Sequence, residues 1–205
     1  MDNVTLTEKY LPFLKRVLTP PRLEHSIGVM NVMGELAEVF SLNRSQALIA
    51  GLLHDAAKDL EPQHQLALAY DLKINFVHPC EQHPVYLHGI VGAHFVFTEL
   101  GITDTAILDA ISTHTDVGNE DKRSALLSRC LRCADVLVPV APWNGMKKLH
   151  SIVFAKQIEQ AELLRSGWLI EHFRESHIPI HPNIAKNYQV LSDKFNTSDA
   201  FFERW

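Results

Sequence analysis

The sequence predicts an all-α protein, and three observations carry that reading. Apolar residues recur at three- and four-residue spacing through most of the chain. No stretch alternates apolar and polar residues as a half-buried strand would, and prolines and glycines mark the joins between the periodic segments. There is no internal repeat and no low-complexity tract.

Taken in order, Leu6 to Leu18 reads as a short amphipathic helix stopped by Pro20-Pro21. Pro21 is well placed in the first turn of the next helix, which carries Leu23, Ile27, Met30, Val32, Leu36 and Val39 and ends near Ser41. A central helix is expected from Arg44 to Lys58, with Ile49, Leu52 and Leu53 facing a core. Glu61-Pro62 opens another, to about Asp71, and residues 72–87 read as a loop crossing the surface. Helix resumes at Leu87 and runs to Leu100, where Gly101 supplies a stop. Thr103 is the expected cap of a helix from Asp104 to His114, and Thr115 to Lys122 reads as polar connection. Ser124 to Leu137 is helical, closed by Pro139 and Pro142. Met146 to Glu175 reads as one long helix kinked near Gly167, and Pro182 to Phe195 as the last.

Composition excludes several classes of function. The 205 residues suit one domain, or one domain with a helical extension, with a substantial core. Hydrophobic residues at 46% and charged ones at 21% argue against disorder. The net charge of −5 offers no basic stripe for nucleic acid and no polybasic anchor for a membrane. No run approaches the ~20 apolar residues of a membrane span. The start, Met-Asp-Asn-Val-Thr, lacks the basic and apolar character of a signal peptide. Three cysteines fit a reducing cytoplasm better than a disulfide framework. Twelve histidines are the unusual number, and they direct attention to metal ligands.

His54 and Asp55 stand side by side at the polar end of an apolar run, and Lys58 follows one turn later. A neutral imidazole and a carboxylate together suit a divalent transition metal, and a nearby lysine suits an anion held by it. The dipeptide alone is common. However, His25, His88, His114 and Asp135 also sit within or at the ends of apolar helices, which makes six ligand-type residues in all. An unpartnered buried histidine or aspartate is costly. Six are hard to satisfy separately in one small helical domain, and a shared cation satisfies them together.

The order His, His-Asp, His, His, Asp resembles the HD-domain metal-dependent phosphohydrolases. Within them, Arg22-Leu-Glu-His25-Ser26, Leu52 to Lys58, Leu87 to Ala93, Glu99 to Asp104 and Ile111 to Thr115 resemble the YqeK-like symmetrical bis(5'-nucleosyl)-tetraphosphatases. The resemblance covers about residues 20–138 and implies an HD-domain helical bundle with additional C-terminal helices over 146–205, in one domain spanning 1–205. It implies two divalent ions, iron first, with manganese, cobalt or nickel as alternatives. His25, His54, Asp55 and Asp135 would hold one ion, and Asp55 would bridge to a second held by His88 and His114. The implied reaction is cleavage of diadenosine tetraphosphate to two ADP by a metal-bridged hydroxide. Two divalent ions less two carboxylates would leave the site near +2, attracting a polyphosphate to a net-negative protein. Lys58, and more weakly Arg22, are candidates to neutralise phosphate oxygens.

The pattern departs from that branch at Thr115-Asp116-Val117-Gly118, at Arg123-Ser124 and in Ala134 to Pro139. Pro142-Trp143-Asn144-Gly145 stands where an arginine is expected. These departures keep open another substrate, such as a nucleoside monophosphate, a cyclic dinucleotide or a further phosphoester. A non-catalytic nucleotide-binding protein is disfavoured because none of the six ligand positions is missing.

Cys130-Leu-Arg-Cys133 has redox spacing but lies within a helix, so small buried residues are expected. Trp143 is either a core plug or a ring that stacks on a base. Leu163, Leu164, Trp168 and Phe173 either cover the core or form a homodimer face. His64, His78, His83, His94, His150, His172, His177 and His181 fall outside the ligand pattern and are expected at the surface or on backbone groups.

Overall fold

The structure, a computed structural model, describes residues 3–138 and 143–196. Pro139 and Pro142, expected to close a helix, lie outside the described residues. The fold is all-α. Helices α1 (Asn3–Val17), α2 (Pro20–Phe40), α3 (Arg44–Leu53) and α4 (Pro62–Asp71) come first. A short 3-10 turn at Pro79–Gln82 leads into α5 (Pro84–Leu100), α6 (Thr105–Thr113), α7 (Glu120–Ser124) and α8 (Leu126–Leu137). The chain then forms α9 (Met146–Phe154), α10 (Ile158–Glu175) and α11 (Pro182–Phe195). Among the described residues no helix is long and apolar enough to cross a membrane.

Helices α2 and α3 pack most closely, and Gly51 is the reason. A Cβ there would lie 2.8 Å from Met30 Cα, a backbone atom that cannot give way. Asn43 caps α3 by accepting from the Gln46 amide. Leu36, Leu48, Leu52, Leu53, Ile111 and Leu131 are fully buried between α2, α3, α6 and α8. The same apolar cluster continues into Leu149, Val153 and Leu164 of α9 and α10. A second cluster, including Tyr86, Val117, Leu169, Phe173 and Ile184, joins α5 to α10 and α11.

Several expected boundaries move for identifiable reasons. Helix α3 ends at Leu53, not Lys58; His54 to Asp59 continue in turns closed by bonds such as Lys58 N–H to Asp55 O (2.8 Å). Asp104, not Thr103, caps α6, its Oδ1 accepting from the Ala106 amide. Residues 72–87 are not purely superficial, since Cys80 and Glu81 are buried and α5 starts at Pro84. The Thr115 to Lys122 connection buries Thr115, Asp116 and Val117 and contains the start of α7.

The late helix breaks between Phe154 and Ile158, and α10 runs unbroken through Gly167. Lys156 takes up a left-handed conformation (φ 62°) while Gln157 N–H bonds Ile152 O and Lys156 N–H bonds Val153 O. That pair of bonds is a Schellman stop, which here needs no glycine.

Candidate metal centre

Five helices deliver the six ligand-type residues to one place. His25 lies in α2, His88 in α5 and Asp135 in α8, while His54-Asp55 and His114 follow the last turns of α3 and α6. All but Asp135, which is 29% exposed, are buried. The two helix C-termini favour positive charge beside them.

Every imidazole is oriented by a backbone carbonyl. Nδ1 of His25 lies 2.5 Å from Val138 O, that of His54 2.9 Å from Gly51 O, that of His88 3.0 Å from Pro84 O and that of His114 2.7 Å from Ile111 O. A carbonyl only accepts, so each Nδ1 carries a hydrogen, and in the neutral ring each Nε2 keeps its lone pair. Those four lone pairs converge: His25 Nε2 is 3.3 Å from His54 Nε2, and His88 Nε2 is 3.0 Å from His114 Nε2. Asp55 stands between the pairs. Its Oδ2 faces His25 (3.7 Å) and His54 (3.5 Å), and its Oδ1 faces His88 (3.2 Å) and His114 (3.7 Å). Asp135 Oδ1 closes the first side, 3.1 Å from His25 Nε2 and 3.6 Å from His54 Nε2.

Acceptors packed this closely repel unless a cation sits among them. Their ligand atoms form three sets, each within 4.8 Å: His25, His54 and Asp55; His54, His114 and Asp135; and Asp55, His88 and His114. The donor set therefore fits metal, and backbone-held Nδ1–H groups are the usual outer support of metal-binding histidines.

The electrostatics of the cluster favour positive charge among its carboxylates. Burial opposes charge on Asp55, but His54, His114, His88 and Lys58 outweigh it and hold the carboxyl well below its usual range. Burial likewise opposes charge on Asp135, where His25 and His54 prevail. Burial works against His54 too, yet Asp55 and Asp135 raise its pKa, as expected where two carboxylates recruit positive charge. Burial, then Lys58, push His88 down to about 3, leaving a neutral ligand.

Lys58 Nζ lies 3.4 Å from both ring nitrogens of His88, a contact rather than a directed hydrogen bond. Arg22 Nη1 donates to Asp55 Oδ2 at 3.0 Å. Both side chains line a cleft of about 360 Å³ that opens from the cluster. The far wall of that cleft is α10, through Arg165, Trp168, Leu169, His172 and Phe173. Arg165 is buried and grips Asp116 with two bonds of 3.1 and 2.7 Å.

The structure brings Arg22, His25, Asp55, Lys58, His88, His114 and Asp135 to the lining of this cleft, with His54 fully buried beside them, and adds α10, which the sequence read only as a covering on the core. Leu163, Leu164 and Phe173 are buried within the chain and cover the core, and Trp168 is half-buried. Trp143 stacks on Trp168 and is not itself part of the cleft lining. His172 lines the cleft, and His181 is buried against Glu81 Oε1 at 3.0 Å, so neither is a plain surface residue. Cys130 and Cys133 are buried free thiols whose pKa values burial raises, that of Cys133 to about 12.

Comparison with known proteins gives the geometry a family. The family model described as "HD domain" matches residues 22–140, more than half of the chain. The chain belongs to the HD-domain family. It is 30% identical over 190 residues to the "Bis(5'-nucleosyl)-tetraphosphatase, symmetrical" of Bacillus subtilis, covering 93% of this chain and 94% of that one. It is also 30% identical over 190 residues to the protein of the same name from Halalkalibacterium halodurans, covering 89% and 95%. A crystal structure of a predicted HD superfamily hydrolase involved in NAD metabolism from Clostridium acetobutylicum superposes with a TM-score of 0.80 at 25% identity, over 91% of this chain and 97% of that one. This HD-domain protein is an enzyme, a phosphohydrolase of a metal-dependent family whose cluster of histidines and aspartates suits metal.

Proposed function

We propose that this HD-domain protein hydrolyses diadenosine tetraphosphate symmetrically. Water adds to one of the two inner phosphorus atoms, its bond to the oxygen shared with the other inner phosphorus breaks, that oxygen leaves with the second nucleotide, and two ADP result with the water's protons released. One observation carries the reading. The two oxygens of Asp55 divide four oriented imidazole lone pairs into two sets at the polar part of a cleft. The substrate class is supported by relatives, matched over nearly their whole length, that bear the symmetrical tetraphosphatase name.

His25, His54, Asp55 and Asp135 would hold one divalent ion, and Asp55, His88 and His114 a second, with iron first and manganese, cobalt or nickel as alternatives. Bound there, the ions supply Lewis acidity, neutralising phosphate charge and lowering the pKa of water. The protein's own groups do the rest. The carbonyls of Val138, Gly51, Pro84 and Ile111 hold the imidazoles in one tautomer. Lys58 offers its ammonium to the charge that grows on the phosphate oxygens, and Arg22 gives a second cation to the phosphate chain.

The Asp116–Arg165 pair in the cleft wall supports a second reading, in which another nucleotide or phosphoester is the substrate. The test is product analysis by anion exchange, after incubating iron- or manganese-loaded protein with diadenosine tetraphosphate. ADP alone is expected. AMP with ATP would overturn the symmetrical geometry. No turnover, beside turnover of a nucleoside monophosphate or cyclic dinucleotide, would establish the second reading.

A further inference from the structure

The cleft has two chemically different parts to its lining. Asp55, His88, Lys58 and Arg22 make one part polar, and Trp168, Leu169, His172 and Phe173 of α10 make another aromatic and apolar. A nucleotide has the same division, with a charged phosphate chain at one end and a flat base at the other.

Three rings are stacked towards that aromatic part. Trp143 anchors the row, its indole N–H donating to Val136 O at 3.0 Å, one residue from Asp135. Trp143 and Trp168 stack with centroids 4.9 Å apart at 26°, and Trp168 and His172 with centroids 5.2 Å apart at 7°. The row ends on His172, which is exposed, lines the cleft and makes no side-chain hydrogen bond with a described residue. A ring that only plugged the core would be covered. This one is held parallel by its neighbour and left open on the cleft side.

The polar groups beside it are already engaged. Arg165 is committed to Asp116 and to Arg132 O, and the Tyr86 hydroxyl donates to Pro179 O and accepts from the His181 amide. Stacking, rather than reading of the base's edge, is therefore what this wall offers.

We infer that His172, backed by Trp168 and Trp143, is a base-stacking subsite that tolerates different purines. It rests on the reading of the cleft as a nucleotide site. It assigns His172 a binding role and gives the C-terminal helices a part in substrate binding.

The test is calorimetric titration of the metal-loaded protein with ADP, GDP and inorganic pyrophosphate, for wild type, His172→Ala and His172→Phe, with diadenosine tetraphosphate turnover measured on the wild type in parallel. Loss of one base–aromatic stack weakens binding by roughly 5- to 100-fold. His172→Ala should show that loss for ADP and GDP and leave pyrophosphate affinity unchanged, and His172→Phe should restore nucleotide affinity. Equal nucleotide affinity in His172→Ala, an equal loss for pyrophosphate, failure of Phe to rescue, or strong discrimination between ADP and GDP would overturn the inference. Base-dependent loss without tetraphosphate turnover would keep the subsite and sink the proposed function. Turnover to ADP without base-dependent loss would do the reverse.

Discussion

Lys58 is a cation in a cleft otherwise floored by ligand-type side chains, and its ammonium touches His88 without a directed bond. Such a group is free to follow charge as it moves onto phosphate oxygens. Lys58→Ala should lower kcat by about 10²-fold, by analogy with the loss of a single transition-state donor, while bound metal stays constant. An unchanged kcat, or loss of the metal, would assign Lys58 a different role. The six ligand-type residues were legible in the sequence because each is a polar group set in, or at the end of, an apolar helix, an arrangement that demands a partner. His172 and Arg165 were not, because nothing near them in sequence is unusual. His172 sits between Glu171 and Phe173 in an ordinary amphipathic helix, and only the packing of α10 brings it to the cleft. Asp116 looked like a change in a polar loop. Its buried place, at φ 65°, becomes clear only once Arg165 is opposite it.

That pair joins two elements, the turn that follows His114 and the helix α10. Asn183 of α11 adds a third hold, its side-chain amide donating to Asp116 O at 2.9 Å. Burial opposes charge on Asp116, but Arg165 and Arg132 outweigh it, so its carboxyl is held below the ordinary value. As pH falls, the unfolded chain takes up this proton first, at about pH 4. The stability contributed by Asp116 is therefore whole above that pH and is lost as pH falls towards the folded pKa. Asp116→Asn leaves Arg165 buried without its counter-charge and should cost about 3–5 kcal/mol near neutrality. In urea denaturation, the gap between wild type and variant should narrow from pH 6 to pH 3; a gap independent of pH would contradict the assignment. The helices themselves were largely legible, since α4 and α11 fall where Pro62 and Pro182 open them. The break near Lys156 was not, because a Schellman stop built on Ala155-Lys156 lacks the glycine that usually marks it, whereas Gly167 sits harmlessly inside a buried helix.

Across the whole molecule, the HD core and the C-terminal helices share an apolar interior and a cleft. The core brings the ligand-type residues, and α10 brings the opposite wall. The HD-domain match ends at residue 140, and the similarity to the Bacillus subtilis protein extends over 93% of the chain. The core was legible through its motifs, but the wall had no motif to announce it, since helical periodicity shows that a face is covered without showing what it covers. The central claim is that the six side chains form one metal centre on which catalysis depends. Its most direct test is elemental analysis of bound metal, paired with diadenosine tetraphosphate turnover on the same samples, before and after chelation and for Asp55→Ala. About two ions per chain are expected, with loss of metal and turnover together on chelation, recovery of both when iron or manganese is returned, and neither in Asp55→Ala. Turnover that persists in metal-stripped protein, or in Asp55→Ala, would contradict that claim.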